Sequence, residues 1–193
     1  MTSVDLALAL GTVETATLEF KVAAKSASTR EKIGQAICAM ANDLTAAGGG
    51  DILVGVDDNG NPADDVDTSD GALRAFADFR DDGRILDRPG LTVNIATYKT
   101  KPVVRLHVNA SAAPPVRFNN VVYVRPGPTT RKAHADDERV LTERRRANDL
   151  PFDLHTRPSA AQDDLNLKDR TGGSLPIIST ASTITAIRHS PGR

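Results

Sequence analysis

Residues 16–60 limit the fold of this chain more than any other stretch. Leu18, Phe20 and Val22 alternate with Thr17, Glu19 and Lys21, the two-residue period of a strand with one face buried. On that reading Glu19 and Lys21 point outward together. Ser28, Thr29 and Arg30 open a helix to about Ala47, with Ile33, Ala36, Ile37, Met40, Ala41 and Leu44 at helical spacing. Gly48-Gly49-Gly50 is expected to end it, because glycine accepts the left-handed backbone beyond a helix terminus. Residues 52–56 form a short continuous apolar run, suited to a central strand covered on both faces. Asp57-Asp58-Asn59-Gly60 then turns the chain. Strand, helix and strand in this order predict a parallel pair with a right-handed crossover.

The remainder fits a mixed sheet around that unit. Leu73, Phe76 and Ala77 suggest a second helix. Residues 91–98 and 103–108 read as a strand pair turning at residues 99–102, and residues 121–125 as a further strand after the Asn119-Asn120 turn. Residues 136–147 read as a last helix, rich in charge and anchored by Val140 and Leu141. The expected class is α+β, a mixed β-sheet packed with two to three helices. A first core is expected to unite Leu18, Phe20, Ile33, Ile37, Met40, Ile52, Val54 and Val56. The domain is expected to occupy residues 1–148. Residues 149–193, where Gly, Ser, Thr and Pro dominate without a sustained period, are expected to be a linker and a disordered tail.

Composition removes several classes of function. A formal net charge of −1 excludes a strongly basic, tail-driven nucleic-acid binder. The single cysteine, Cys38, excludes an internal disulfide and a multi-cysteine zinc site. No run approaches the roughly 20 apolar residues of a membrane span, and the first residues lack a basic leader and carry Asp5. The expected location is cytoplasmic, with no membrane partner.

Neither GxxxxGK[ST] nor GxGxxG occurs, so the two commonest glycine phosphate cradles are missing. His107, His134, His155 and His189 lack metal-ligand spacing. Two constellations remain. Glu14, Glu19, Asp57 and Asp58, with Lys21 beside them, offer hard oxygen ligands to Mg²⁺ or Mn²⁺ if the parallel pairing brings the turn to Glu19. Glu14 lies an odd step from Glu19 and joins only through a bend. The competing reading is a strand's solvent face and a turn. The second constellation is basic: Arg117, Arg125, Arg131 and Lys132, then Arg139, Arg144, Arg145 and Arg146. A loop presenting Arg125 and Arg131 would suit a phosphate backbone. Asp136, Asp137, Glu138 and Glu143 equally allow an ordinary charged helix surface. Phe118 and Tyr123 are the nearby stacking candidates for single-stranded bases.

Taken in order, several blocks resemble one family. They are Glu14 with Glu19-Phe20-Lys21, Ala41-Asn42 before the glycines, and Ile52-Leu53-Val54-Gly55-Val56-Asp57-Asp58-Asn59-Gly60. Pro114-Pro115-Val116-Arg117, Tyr123-Val124-Arg125-Pro126-Gly127-Pro128-Thr129, and Glu138-Arg139 with Glu143-Arg144-Arg145 continue the series. In this the chain resembles the Schlafen AlbA-type domain over about residues 14–146. The resemblance implies a DNA-binding domain of the kind that opens bacterial transcriptional regulators, ATP-binding proteins and RecG-like helicases. On that reading Lys21, Arg117, Arg125 and Arg131 hold phosphates of DNA or RNA. Animal relatives cleave transfer and ribosomal RNA with metal-bound carboxylates, which carry over here to Glu14, Glu19 and Asp58, with Mg or Mn as the ion. A third reading, separate from the resemblance, is an interaction or dimerisation module whose original partner domain is lost, with exposed strand edges serving that role, including in a homodimer. Pro151-Phe152-Asp153 and residues 163–167 match the start of the family's usual continuation, but Lys168 onward departs from it. A truncated or frame-shifted member without the longer proteins' ATP binding is therefore expected.

Overall fold

In a computed structural model describing residues 5–22, 26–81 and 83–149, the predicted parallel pair forms one side of a mixed sheet. The expectations for the linker and tail, His155 and His189 lie outside the described residues. A short helix α1 (Leu6–Leu10) leads into β1 (Leu18–Lys21), and α2 (Ala27–Asn42) crosses over to β2 (Gly49–Val54). Helix α3 (Asp70–Ala77), extended by a 3₁₀ turn at Asp78–Arg80, precedes β3 (Ile85–Leu86), β4 (Leu91–Tyr98) and β5 (Lys101–Asn109). The chain closes with β6 (Arg117–Phe118), β7 (Tyr123–Val124), β8 (Arg131–Lys132) and α4 (Ala135–Asn148). The main sheet has the order β1-β2-β5-β4, with β1 parallel to β2 and the other pairs antiparallel. Two-stranded pairs β3-β6 and β7-β8 stand beside it. The class is α+β, as the pattern predicts.

Strand β2 is buried throughout, as its apolar run demands. Its two faces serve two clusters rather than the single core expected from sequence. Ile52 and Val54 meet Val104, Leu106 and Val108 beneath Ile33, Ile37 and Met40 of α2. Leu18, Phe20, Leu53 and Val56 belong to the opposite face, with Tyr98, Val103 and Leu6 of α1. Strand parity explains the correction for Leu18, Phe20 and Leu53, because successive residues of β1 and β2 point to opposite sides, whereas Val56 changes face beyond β2, after left-handed Gly55 (φ 104°). The second face also holds buried Asp51, which accepts from Arg105 Nε (2.7 Å) and pairs with His107 Nδ1 at 2.9 Å.

Three element ends differ from expectation. Helix α2 stops before the glycines, at Asp43, which turns left-handed (φ 42°) and accepts from the amides of Ala47 and Gly48, both at 2.8 Å. Gly49 and Gly50 instead belong to β2. A Cβ on Gly49 would collide with the Val108 carbonyl, and one on Gly50 would lie 2.7 Å from that of Thr17. The strand expected over residues 121–125 shrinks to β7, because Asn119 and Asn120 are both left-handed and fold Val121 back on Phe118. In α4 only Leu141 anchors the helix, against Val122 and Val124, while Val140 is exposed. Buried Asn42 fastens this C-terminal part to α2. Its amide donates to the carbonyls of Val116 (3.0 Å) and Tyr123 (2.8 Å), and its oxygen accepts from Val116 N.

Candidate functional site

The parallel pairing sends β1 and β2 out of the sheet at the same end, beside the start of α2. A cavity of about 650 Å³ opens there. Glu14, Glu19, Lys21, Asp58 and Arg125 all line it, so the structure brings the predicted acidic set, without Asp57, to one place with a single member of the basic set. Glu14 reaches the group by the bend that its odd spacing requires: its Oε1 accepts from Phe20 N at 2.8 Å.

Alternation misplaces Glu19, which is buried, not exposed. Burial is tolerable because both its oxygens are matched by cations, Oε1 by Lys21 and Oε2 by Arg125. Arg125 is correspondingly drawn inward to 3% exposure, not presented on a loop. Its Nε donates to the Thr15 carbonyl at 2.7 Å, its Nη2 to the Leu18 carbonyl at 3.0 Å, and its Nη1 to Thr130 Oγ1 at 3.2 Å. Lys21 Nζ also donates to the Phe20 carbonyl at 2.7 Å. In a parallel pair alternate residues turn their backbone groups away from the partner, and in β1 these are Leu18 and Phe20. Glu14, Lys21 and Arg125 therefore bond to the outer edge of β1 in place of another strand, joined by Thr15 N, which donates to the Leu18 carbonyl at 3.0 Å.

The remaining walls come from residues to which sequence reasoning assigned no role. Ser26 caps α2, its hydroxyl accepting from Thr29 N at 3.1 Å. Thr29, Lys32 and Gln35 follow along the helix, and Pro128, Thr129 and Thr130 complete the lining. Lys32 is exposed and, among the described residues, has no ion-pair partner. The first turn of a helix adds partial positive charge at that end. The capping serine just after a strand was the signal available in the sequence.

The rest of the basic set is dispersed. Arg117 lies on β6, outside the cavity lining. Arg131 is bound by Asp137, with Nη1 to Oδ2 at 2.6 Å, and that hydrogen bond holds the Asp137 carboxyl below its ordinary range. Arg144 donates to the Asp43 carbonyl at 2.7 Å at the end of α2. Arg139, Arg145 and Arg146 pair with Asp136, Asp149 and Glu143, so α4 follows the ordinary charged-surface reading. Phe118 is buried edge-on against Tyr123, with centroids 6.5 Å apart, and offers no open stacking face.

The carboxylates, as arranged, do not fit a divalent cation. Glu19 has both oxygens engaged by cations, Glu14 has one oxygen on a backbone amide, and no three acidic, histidine or cysteine groups gather to metal-binding distance among the described residues.

Comparison with known proteins agrees on the span. The family model described as Schlafen, AlbA_2 matches residues 14–134, which take in every residue that lines the cavity. Among solved structures, that of the DIP2311 protein from Corynebacterium diphtheriae is similar at 19% identity and a TM-score of 0.44, over 61% of this chain and 22% of that one. This chain thus spans less than a quarter of that neighbour's length. No curated protein matches it. Among the described residues no helix is long and apolar enough to cross a membrane.

Proposed function

The chain belongs to the Schlafen AlbA_2 family, and from that premise we propose that its cavity receives the phosphate backbone of a nucleic acid, DNA or RNA. The observation that carries this reading is Lys32, the cavity cation with no ion-pair partner among the described residues, which lines the cavity from α2 together with Ser26 and Thr29. Thr129 and Thr130 line the same cavity. Hydroxyls, a lysine and a helix start are the groups that hold phosphate oxygens without reading sequence. Lys21 and Arg125 contribute by neutralising Glu19, which would otherwise repel the ligand. Binding of this kind suits a regulatory module that grips the backbone while specificity lies elsewhere.

The test is anisotropy of labelled duplex DNA and labelled transfer RNA over a salt series. Lys32→Ala is expected to weaken binding to all sequences alike. On duplex DNA it should also flatten the log–log salt slope by about 0.9, the increment for a single neutralised phosphate. Unchanged affinity and slope in that variant would remove the cavity from the binding surface. The same titration with Mn²⁺ separates binding from cleavage. Strand scission abolished by Glu19→Gln would replace this reading with a metal-dependent endoribonuclease.

A further inference from the structure

The two edges of the main sheet are finished differently. Side chains close β1, as described above. At the other edge, β4 pairs with β5 through a hairpin in which Thr97 stands opposite Pro102. Proline has no N–H, so that pair is one of the non-hydrogen-bonded pairs of the ladder, and the backbone groups of Thr97 point away from β5. Alternation then turns Leu91, Val93 and Ile95 outward as well. The hydrogen bond from Asn109 N to the Gly90 carbonyl at 2.9 Å confirms this parity at the far end. Among the described residues no backbone group of another segment pairs with these four.

Exposed edges are normally blunted by charge, proline, a bulge or shortness. Strand β4 has none of these: its eight residues, LTVNIATY, carry no charge and no proline, and they pair with β5 without interruption. Ile95 stands on it 49% exposed. We propose that β4 is a dimer interface, pairing antiparallel with β4 of a second copy to make one continuous eight-stranded sheet. The strand is self-complementary for this. A twofold axis at Asn94 sets Leu91 opposite Thr97 of the partner and Val93 opposite Ile95, so that all four outward residues exchange both hydrogen bonds once the exposed Asn94 amide releases the Ile95 carbonyl to which it donates at 3.3 Å. Ile95 gains an apolar neighbour, Asn94 faces its own copy across the axis, and no like charges meet.

Light scattering on the full chain over a concentration series tests this. The native protein should run at twice the chain mass. Ile95→Pro removes one outward N–H and no intrachain hydrogen bond, and should halve that mass while the circular dichroism spectrum stays native. Ile95→Lys, at an exposed side chain, should do the same and guards against a proline-specific distortion. Asn94→Cys should form an interchain disulfide on mild oxidation, since residues related by the axis face each other at a close pair; native Cys38 is buried and stays out of the reaction. A monomer at all concentrations overturns the proposal. So does a dimer that survives both Ile95 substitutions, or one in which Asn94→Cys does not cross-link. None of these outcomes bears on Lys32, so this proposal and the binding proposal fail separately.

Discussion

Arg125 shows how one side chain can be misread from sequence and still belong to the right place. Its position after a strand and before Pro126-Gly127-Pro128 suggests a phosphate contact, yet its guanidinium lies inside, forked between Glu19 and the carbonyls of Thr15 and Leu18. Removing one partner of a buried ion pair typically costs about 3–5 kcal/mol. Arg125→Ala should therefore lower the urea midpoint by a loss of that order, and Arg125→Lys should recover only part, because an ammonium cannot span the same fork. A wild-type midpoint in Arg125→Ala would put the guanidinium in solvent. That Glu19 and Asp58 line one cavity was legible because parallel pairing follows from residue order alone, and Glu14 joins them through the bend that its spacing requires. The inward turn of Arg125 was not, since its acceptors lie more than a hundred residues earlier in the chain.

Among the elements, α2 depends on a close approach that its own periodicity conceals. Gly34 is buried, and a Cβ there would lie 2.7 Å from Cζ of Phe118 and closer still to Cε2. In an isolated helix Gly→Ala gains about 1 kcal/mol, but overpacking a tight contact costs about 1–3 kcal/mol. Gly34→Ala is thus expected to lower the melting temperature despite the better helix former. A rise would show that the Phe118 ring yields freely. The apolar face of α2 was readable because burial recurs at helical spacing. Its true end was not, because Asp43 terminates the helix by its own left-handed turn and side-chain bonds, with the conspicuous glycines needed one step later for close strand pairing.

At the scale of the whole molecule, distant parts of the chain are tied by single polar groups. The Asp5 carboxylate caps α1 through Ala7 N (2.9 Å) and also accepts from Lys99 N (2.9 Å) and Thr100 N (3.2 Å) in the β4–β5 turn. These amides hold its pKa below the ordinary carboxylate value. A depressed folded-state pKa contributes stability that is complete above the unfolded value and is lost as pH falls through the folded one. Asp5→Asn should lower the melting temperature at neutral pH and lessen its decline in acid, measured by thermal melts over a pH series. An unaltered pH profile would show that the capped helix contributes nothing. The two-faced core was half legible: the buried run of β2 announced cover on both sides, whereas what covers the second face depends on α1, too short a helix to declare itself.

The sealed edge of β1 has a genetic consequence. Glu14, Lys21 and Arg125 line the cavity and also complete the backbone of a strand, so alleles altering them lower abundance along with any activity of the cavity. Such alleles should be temperature-sensitive, partly active in the cold and lost on warming, while a Lys32 allele should be equally defective at every growth temperature. In a screen that scores only growth the two groups would look alike; measuring protein level beside the phenotype separates them.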